Sequence, residues 1–242
     1  MSLTSIIIPN YNGYRMLAKC IASIKRYTKP PYEIIVVDNG SSDRSFELCR
    51  REKVKCLTLP TNQGFPVACN VGLREATGDN LLLLNNDTVV KPGWLSNMLH
   101  CLHSSQKIGI VGPMTNYASG RQRIRGGIAL TQTAVRRFNR PNPAKWREVP
   151  RIVGLCFLFK RELLTKVGFM DEIFSPGHYE DDDYCYRARL AGYRLMIAGD
   201  TYIYHAGSKS FKRKKRIELQ QLLHTNKQKF IDKWSVDPNI FI

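Results

Sequence analysis

The sequence predicts an α/β fold around an open, mostly parallel sheet, and two patterns carry that expectation. Five apolar runs in the first half, at 4–8, 33–37, 54–59, 81–84 and 108–111, are separated by helix-length segments at the spacing of successive βα units. The run Leu81-Leu82-Leu83-Leu84 is apolar throughout rather than alternating, which is expected of a strand buried on both faces. With 242 residues, 43% of them hydrophobic, the chain is long enough for a substantial core. No linker-like stretch or internal repeat divides it, so one main domain is expected.

The first strand, 4–8, is stopped by Pro9, and Asn10-Tyr11-Asn12-Gly13 forms a loop before a helix reaching about Tyr27. That loop is neither a dinucleotide fingerprint nor a P-loop, and neither motif occurs elsewhere. Tyr11 either offers an aromatic face at the mouth of the strand or packs against the sheet edge. The second strand, 33–37, delivers Asp38 onto a tight turn suited to hydrogen-bonding a ribose or a base, and Asp43 reads as the cap of the helix that follows. The third strand, 54–59, precedes Asn62, Gly64 and a helix over 66–76 carrying Asn70.

The leucine strand comes next, and it breaks out into Asn85, Asn86, Asp87 and Thr88. Ligands in open α/β sheets sit at such carboxyl ends. Asp87 is placed to hold a cation or a substrate, with Asn85 offering a neutral oxygen; a plain turn and helix cap is the alternative. Pro92 is expected in the first turn of a helix through His100, and the fifth strand, 108–111, is expected to end at Gly112-Pro113. Between 121 and 151 nine arginines and lysines face one acid, Glu148, without clear period, which predicts an excursion over the site rather than a core element.

A strand over 152–159 and a helix over 161–167 lead to Glu180, Asp181, Asp182 and Asp183. A helix dipole and the Asp183–Arg187 i,i+4 pair account for one or two of these acids. Four adjacent carboxylates repel one another, and in so basic a chain they point to a task. Two short strands, 195–198 and 201–204, follow, the second delivering His205, a structural histidine or a metal ligand. The basic run 209–216 reads as a lid or a membrane patch, and 217–234 as a helix that docks an apolar face on the domain or lays it in the membrane interface.

The net charge of +17 favours polyanionic partners: nucleic acid, an anionic membrane face or phosphate-bearing substrates. No recognition-helix, zinc-finger or RNA-platform signature is present, so no nucleic-acid partner is expected. The seven cysteines are scattered singly, as buried thiols in a reducing compartment would be. With no signal-peptide pattern and no run of membrane-spanning length, the expected location is the cytoplasm, with contact to the inner membrane face.

Seven segments stand in a telling order: IIIPNYN (6–12), VVDNGSSD (36–43), NQGFPVACNVG (62–72), LLLNNDT (82–88), GLCFLFKRE (154–162), YEDDDYCYRARLAGYR (179–194) and YHAGS (204–208). Together they resemble the inverting family-2 glycosyltransferases from residue 4 to about 211. The resemblance implies a GT-A domain over 1–211, with a nucleotide-sugar half (1–113), an acceptor and catalytic half (114–211), and a basic helical tail (212–242). It implies a UDP- or dTDP-sugar donor held by Pro9, Tyr11, Asp38, Asn62, Gly64, Asn70, Asn85 and Asn86. Asp87 and His205 would hold Mn²⁺ or Mg²⁺, although the family's carboxylate-x-carboxylate falls here on Asn85-Asn86-Asp87, leaving one charged ligand.

By the same resemblance Asp181 is the general base, with Glu180 beside it and Asp183 and Arg187 ordering the helix. Arg121, Arg123, Arg125 and Arg151 would meet a glycan or lipid-linked acceptor, phosphate-bearing or lying on anionic lipid. The rival readings are a catalytically silent nucleotide-sugar-binding subunit, a nucleotidyltransferase lacking its glycine-rich loop, and a basic nucleic-acid-binding module.

Overall fold

The computed structural model of the chain describes residues 2–124, 131–207 and 213–241. Among them is a nine-stranded mixed sheet. β1 (Thr4–Asn10) lies between β2 (Tyr32–Asp38) and β4 (Asn80–Leu84), parallel to both, and β3 (Lys55–Thr58) continues the parallel side beyond β2. β8 (Cys156–Lys160) runs antiparallel between β4 and β6 (Ile108–Thr115). β9 (Arg194–His205) is parallel to β6, and the short β5 (Thr88–Val89) and β7 (Arg147–Val149) pair antiparallel with β9.

The unbroken apolar strands have a direct cause: each face of the sheet has its own core. Ile6, Ile8, Leu82 and Leu84 meet α1 (Tyr14–Tyr27), α2 (Ser45–Glu52) and α4 (Trp94–His103) on one side. Ile7, Leu81 and Leu83 point the other way, to α3 (Phe65–Glu75), α6 (Arg161–Val167) and α7 (Glu180–Leu190). Each fully buried side chain of this size contributes about 1.5–3 kcal/mol, so the double-sided core fixes the strand ends that carry the polar residues. All seven cysteines are free thiols, and burial pushes Cys20 and Cys101 up to about 12, which makes them inert.

Several elements differ from the sequence expectation for identifiable reasons. Pro92 lies before α4 rather than in its first turn, because the left-handed Gly93 is the N-cap. β6 continues through Gly112 and Pro113 to Thr115, with Pro113 absorbed at a register shift against β9. The strand expected over 152–159 begins at Cys156, behind a turn at 154–155. The two strands expected at 195–198 and 201–204 are one strand. Gly199 does not turn the chain; the Lys145 carbonyl packs where its side chain would be, and Asp200 accepts hydrogen bonds from the Asn142 N–H and Trp146 Nε1.

The basic excursion also carries structure, including α5 (Gln132–Phe138), a buried Gln122 and β7. The tail helix α8 (Arg213–Trp234) buries Phe230 on the domain. Arg125 and residues 209–212 of the basic run lie outside the described residues.

Candidate active site

The carboxyl ends of β1, β2 and β4 are stitched together by neutral amides. Asn10, at the end of β1, donates from Nδ2 to Asp38 Oδ1 (3.2 Å) and accepts at Oδ1 from Asn86 Nδ2 (2.7 Å). The two asparagines approach over Gly13, where a Cβ would stand 2.3 Å from Asn86 Nδ2. Ser41 Oγ donates a 2.5 Å bond to the same Asp38 oxygen. Asn39 donates to Asn62 Oδ1 and to the Gly64 carbonyl, and Asn62 Oδ1 also accepts from the Gly64 N–H. Pro9 is buried within β1, whereas Tyr11 is 49% exposed, so its ring does not pack under the sheet edge. Asp43 bonds both flanking helices: Oδ1 accepts from Ser45 and Oδ2 from the Tyr14 N–H, although Arg44 holds the N-cap position of α2.

Asn70 does not belong to this group. It is fully buried in α3, donates to the Met170 carbonyl and to Glu172, and accepts from the Met170 N–H, so its amide is consumed in holding the 170–172 segment. The structure thus places this expected donor-binding residue on the 170–172 segment rather than among the strand-end amides.

Asp87 and His205 meet through sheet register. β5 pairs with β9 so that Thr88 is opposite His205, and the Ala206 N–H bonds the Asp87 carbonyl. His205 Nε2 then lies 3.1 Å from Asp87 Oδ1, while Nδ1 lies 2.7 Å from the Tyr117 carbonyl. Burial works against the imidazolium, but the hydrogen bond and charge of Asp87 outweigh it and raise His205 above its ordinary value. Asn116 brackets the backbone of His205, accepting from its N–H and donating to its carbonyl, and the exposed Tyr117 ring lies edge-on to the imidazole.

These residues fit a divalent cation. The Nδ1 contact to a backbone carbonyl orients Nε2 toward the carboxylate, as in histidine metal ligands, and Asn85 Oδ1 is buried without a hydrogen-bond partner. Among the described residues no group of three or more His, Cys, Asp or Glu converges. Protein ligands alone therefore form an incomplete shell.

The acids of α7 are all buried. Asp181 Oδ2 accepts from the Gly154 N–H (2.8 Å) and Oδ1 from the Asp182 N–H (3.0 Å). A Cβ on Gly154 would lie 3.3 Å from that of Asp181, a tight contact. Asp182 Oδ1 lies 2.5 Å from Arg151 Nε. Burial, then the charge of Asp181, pushes Asp182 up to about 8 and Glu180 well above the carboxylate range. Asp183 is bound by Arg187 (2.8 Å), Lys233 (2.6 Å) and Trp234 Nε1 (2.9 Å).

One backbone turn links the two regions: the Leu155 carbonyl accepts from the Asn85 N–H, and the neighbouring Gly154 N–H holds Asp181. Arg151 is correspondingly turned inward, against Asp182 and Ser119. Arg121 and Arg123 are exposed.

Residues 5–168 match the family model described as Glycosyl transferase family 2. The chain belongs to glycosyl transferase family 2. GlyG of Streptococcus pneumoniae is 24% identical over 224 residues, covering 87% of this chain and 73% of its own length. AglE of Haloferax volcanii is 27% identical over 209 residues, covering 83% and 66%. Among solved structures, the mannosyltransferase PcManGT of Pyrobaculum calidifontis, in complex with GDP-Man and Mn²⁺, superposes with a TM-score of 0.72 at 22% identity, over 96% of this chain and 64% of that one. TarS of S. aureus in complex with UDP-GlcNAc gives 0.61 at 19% identity, over 91% and 65%. The fold of this family-2 chain is thus the GT-A fold, and the chain spans about two-thirds of the length of several of these relatives. The family match contains the amide-stitched strand ends and Asp87 but stops before α7 and His205.

Sequence reasoning missed Asn10, Asn116 and Tyr117. Asn10 lies inside the quoted IIIPNYN segment without a role being assigned to it, but Asn116 and Tyr117 lie in a stretch where nothing local marks them.

Proposed function

We propose that this chain transfers a sugar from a UDP- or dTDP-sugar to a hydroxyl of a glycan, glycolipid or other cell-surface acceptor, by a single displacement that inverts the anomeric centre. The observation that carries the reading is the 154–155 turn, which ties the Asp181 carboxylate to the end of β4 two residues before Asp87. A base and a diphosphate-binding end are thereby held on adjacent backbone.

In this mechanism the exposed Tyr11 lies against the base of the donor, and Asp38, fixed by Asn10 and Ser41, receives the ribose or base. Asp181 takes the proton of the acceptor hydroxyl as that oxygen attacks the anomeric carbon, and the bond to the diphosphate breaks on the opposite face. Its two oxygens are oriented by backbone amides and each keeps a further lone pair for the incoming proton. Asp87 and His205, with Asn85, would hold Mn²⁺ or Mg²⁺. When bound, the cation offsets charge on the leaving diphosphate. Asp183, Arg187 and the tail order α7.

Arg121 and Arg123, with the exposed Arg136, Arg137 and Arg140, give a phosphate-bearing acceptor or an anionic lipid surface a basic face. No described helix is long and apolar enough to cross a membrane, so membrane contact in this reading is peripheral.

The test is Asp181→Asn, assayed for transfer and for donor binding. A loss of about 10²–10⁴-fold in transfer rate is expected, the usual contribution of a general base, with donor affinity unchanged. Full transfer activity in a protein that binds donor normally would overturn the assignment.

A further inference from the structure

The turn that presents the acids of α7 has an unusual backbone. Gly177, His178 and Tyr179 have φ values of 153°, 72° and 75°, and Tyr179 is the N-cap of α7. Two successive residues with side chains in the left-handed region persist only where their surroundings over-determine them. The over-determining group comes from α8. Asn226 is completely buried, and the two hydrogens of its Nδ2 are shared among the carbonyls of Phe174 (2.8 Å), Gly177 (2.9 Å) and His178 (3.1 Å). Its Oδ1 is buried without a partner, so the side chain is used for its donors alone.

We propose that Asn226 is a positioning residue for glycosyl transfer: its amide holds the 177–179 turn in the conformation that delivers Asp181 to the Gly154 N–H. This rests on Asp181 being the base. The same helix grips the region at further points. Lys229 bonds the Ile173 carbonyl, Lys233 bridges Asp171 and Asp183, and Trp234 bonds Asp183. The tail helix is accordingly part of the reaction apparatus rather than an appendage. Leucine has similar volume and no donors, so packing alone would accept it at 226; the proposed role would not.

The experiment compares wild type with Asn226→Leu, Asp181→Asn and the double variant. Nucleotide release is followed with water as acceptor, using whichever of UDP-N-acetylglucosamine, UDP-glucose, dTDP-rhamnose or GDP-mannose wild type hydrolyses fastest. Hydrogen exchange of the backbone amides 177–183 is measured in parallel. Asn226→Leu is expected to exchange faster at 177–183 and to lose about 10–100-fold in kcat with donor KM within about twofold. The double variant should be no slower than Asp181→Asn, because both substitutions disable one carboxylate.

Unchanged exchange and kcat in a folded Asn226→Leu protein would overturn the proposal, as would losses that multiply in the double variant. If Asn226→Leu does not fold, Asn226→Ser, which keeps one donor, is judged by the same exchange and kcat criteria. A fully active Asp181→Asn protein would defeat the assignment of the base instead, and it is read from a different variant.

Discussion

The strand ends of β1, β2 and β4 and the first turn of α7 both gather buried polar groups, yet they are held in opposite ways. At the strand ends the links are neutral: Asn10, Asn39, Asn62 and Asn86 bond one another, backbone groups and Asp38. In α7 four consecutive acids are buried, offset by Arg151, Arg187 and Lys233 from three different segments and by protonation. Neutral amide networks pre-organise a surface at modest cost, whereas buried like charges are expensive and are kept where chemistry needs them. In the proposed function this contrast separates binding at the strand ends from reaction at the helix.

The largest expected effect breaks the helix side of the comparison. Asp183→Ala leaves Arg187 and Lys233 without their buried carboxylate and strands Trp234 Nε1. The cost expected for breaking a buried pair is about 3–5 kcal/mol. A melting temperature lower by roughly 6–20 °C follows for a chain of this size. A shift under about 2 °C would show that the charges of α7 do not hold α8.

Next in size, His205→Ala should weaken nucleotide-diphosphate binding in the presence of Mn²⁺ by about 10–100-fold, the scale of metal-site substitutions. Binding without Mn²⁺ should stay as in wild type. Titration calorimetry separates the two, and equal weakening under both conditions would remove the cation from Asp87 and His205.

The smallest effect concerns pH. Asp182 is raised to about 8 by burial and by Asp181, against about 3.9 in an unfolded chain. The folded state therefore holds its proton more tightly. The associated stability is fully present below pH ~4 and is lost as pH rises through about 8. Asp182→Asn cannot ionise, so its melting temperature should gain on that of wild type between pH 5 and pH 9. Parallel melting curves across that range would mean the helix carries no such proton.

Much of the frame was legible because it rests on local patterns. The double-sided apolar runs located β1, β2 and β4, and α6 spans the expected 161–167. What was not legible depends on register and on long-range pairing. The 3.1 Å approach of His205 to Asp87 follows from the pairing of β5 with β9, across more than a hundred residues. Arg151 reads in sequence as one more surface cation, and only the buried Asp182 explains its inward turn. Asn70 and Asn226 are indistinguishable in sequence from solvent-facing asparagines, yet Asn70 is committed to the Met170 backbone and Glu172, and Asn226 to backbone carbonyls of the 174–178 segment. Gly199-Asp200 carries the composition of a turn but serves as the seat of the 142–146 segment on a continuous strand.

The central claim is that the amide-stitched strand ends, with Asp87 and His205, are the nucleotide-sugar site. It is tested most directly by thermal stability of the chain against UDP, dTDP and GDP and their sugars, each with and without Mn²⁺. A ligand at about 100 times its dissociation constant adds about 2.7 kcal/mol. The account predicts a clear upward shift that needs both one uridine or thymidine diphosphate and the metal. No shift with any nucleotide, or a shift with DNA or RNA alone, would contradict it.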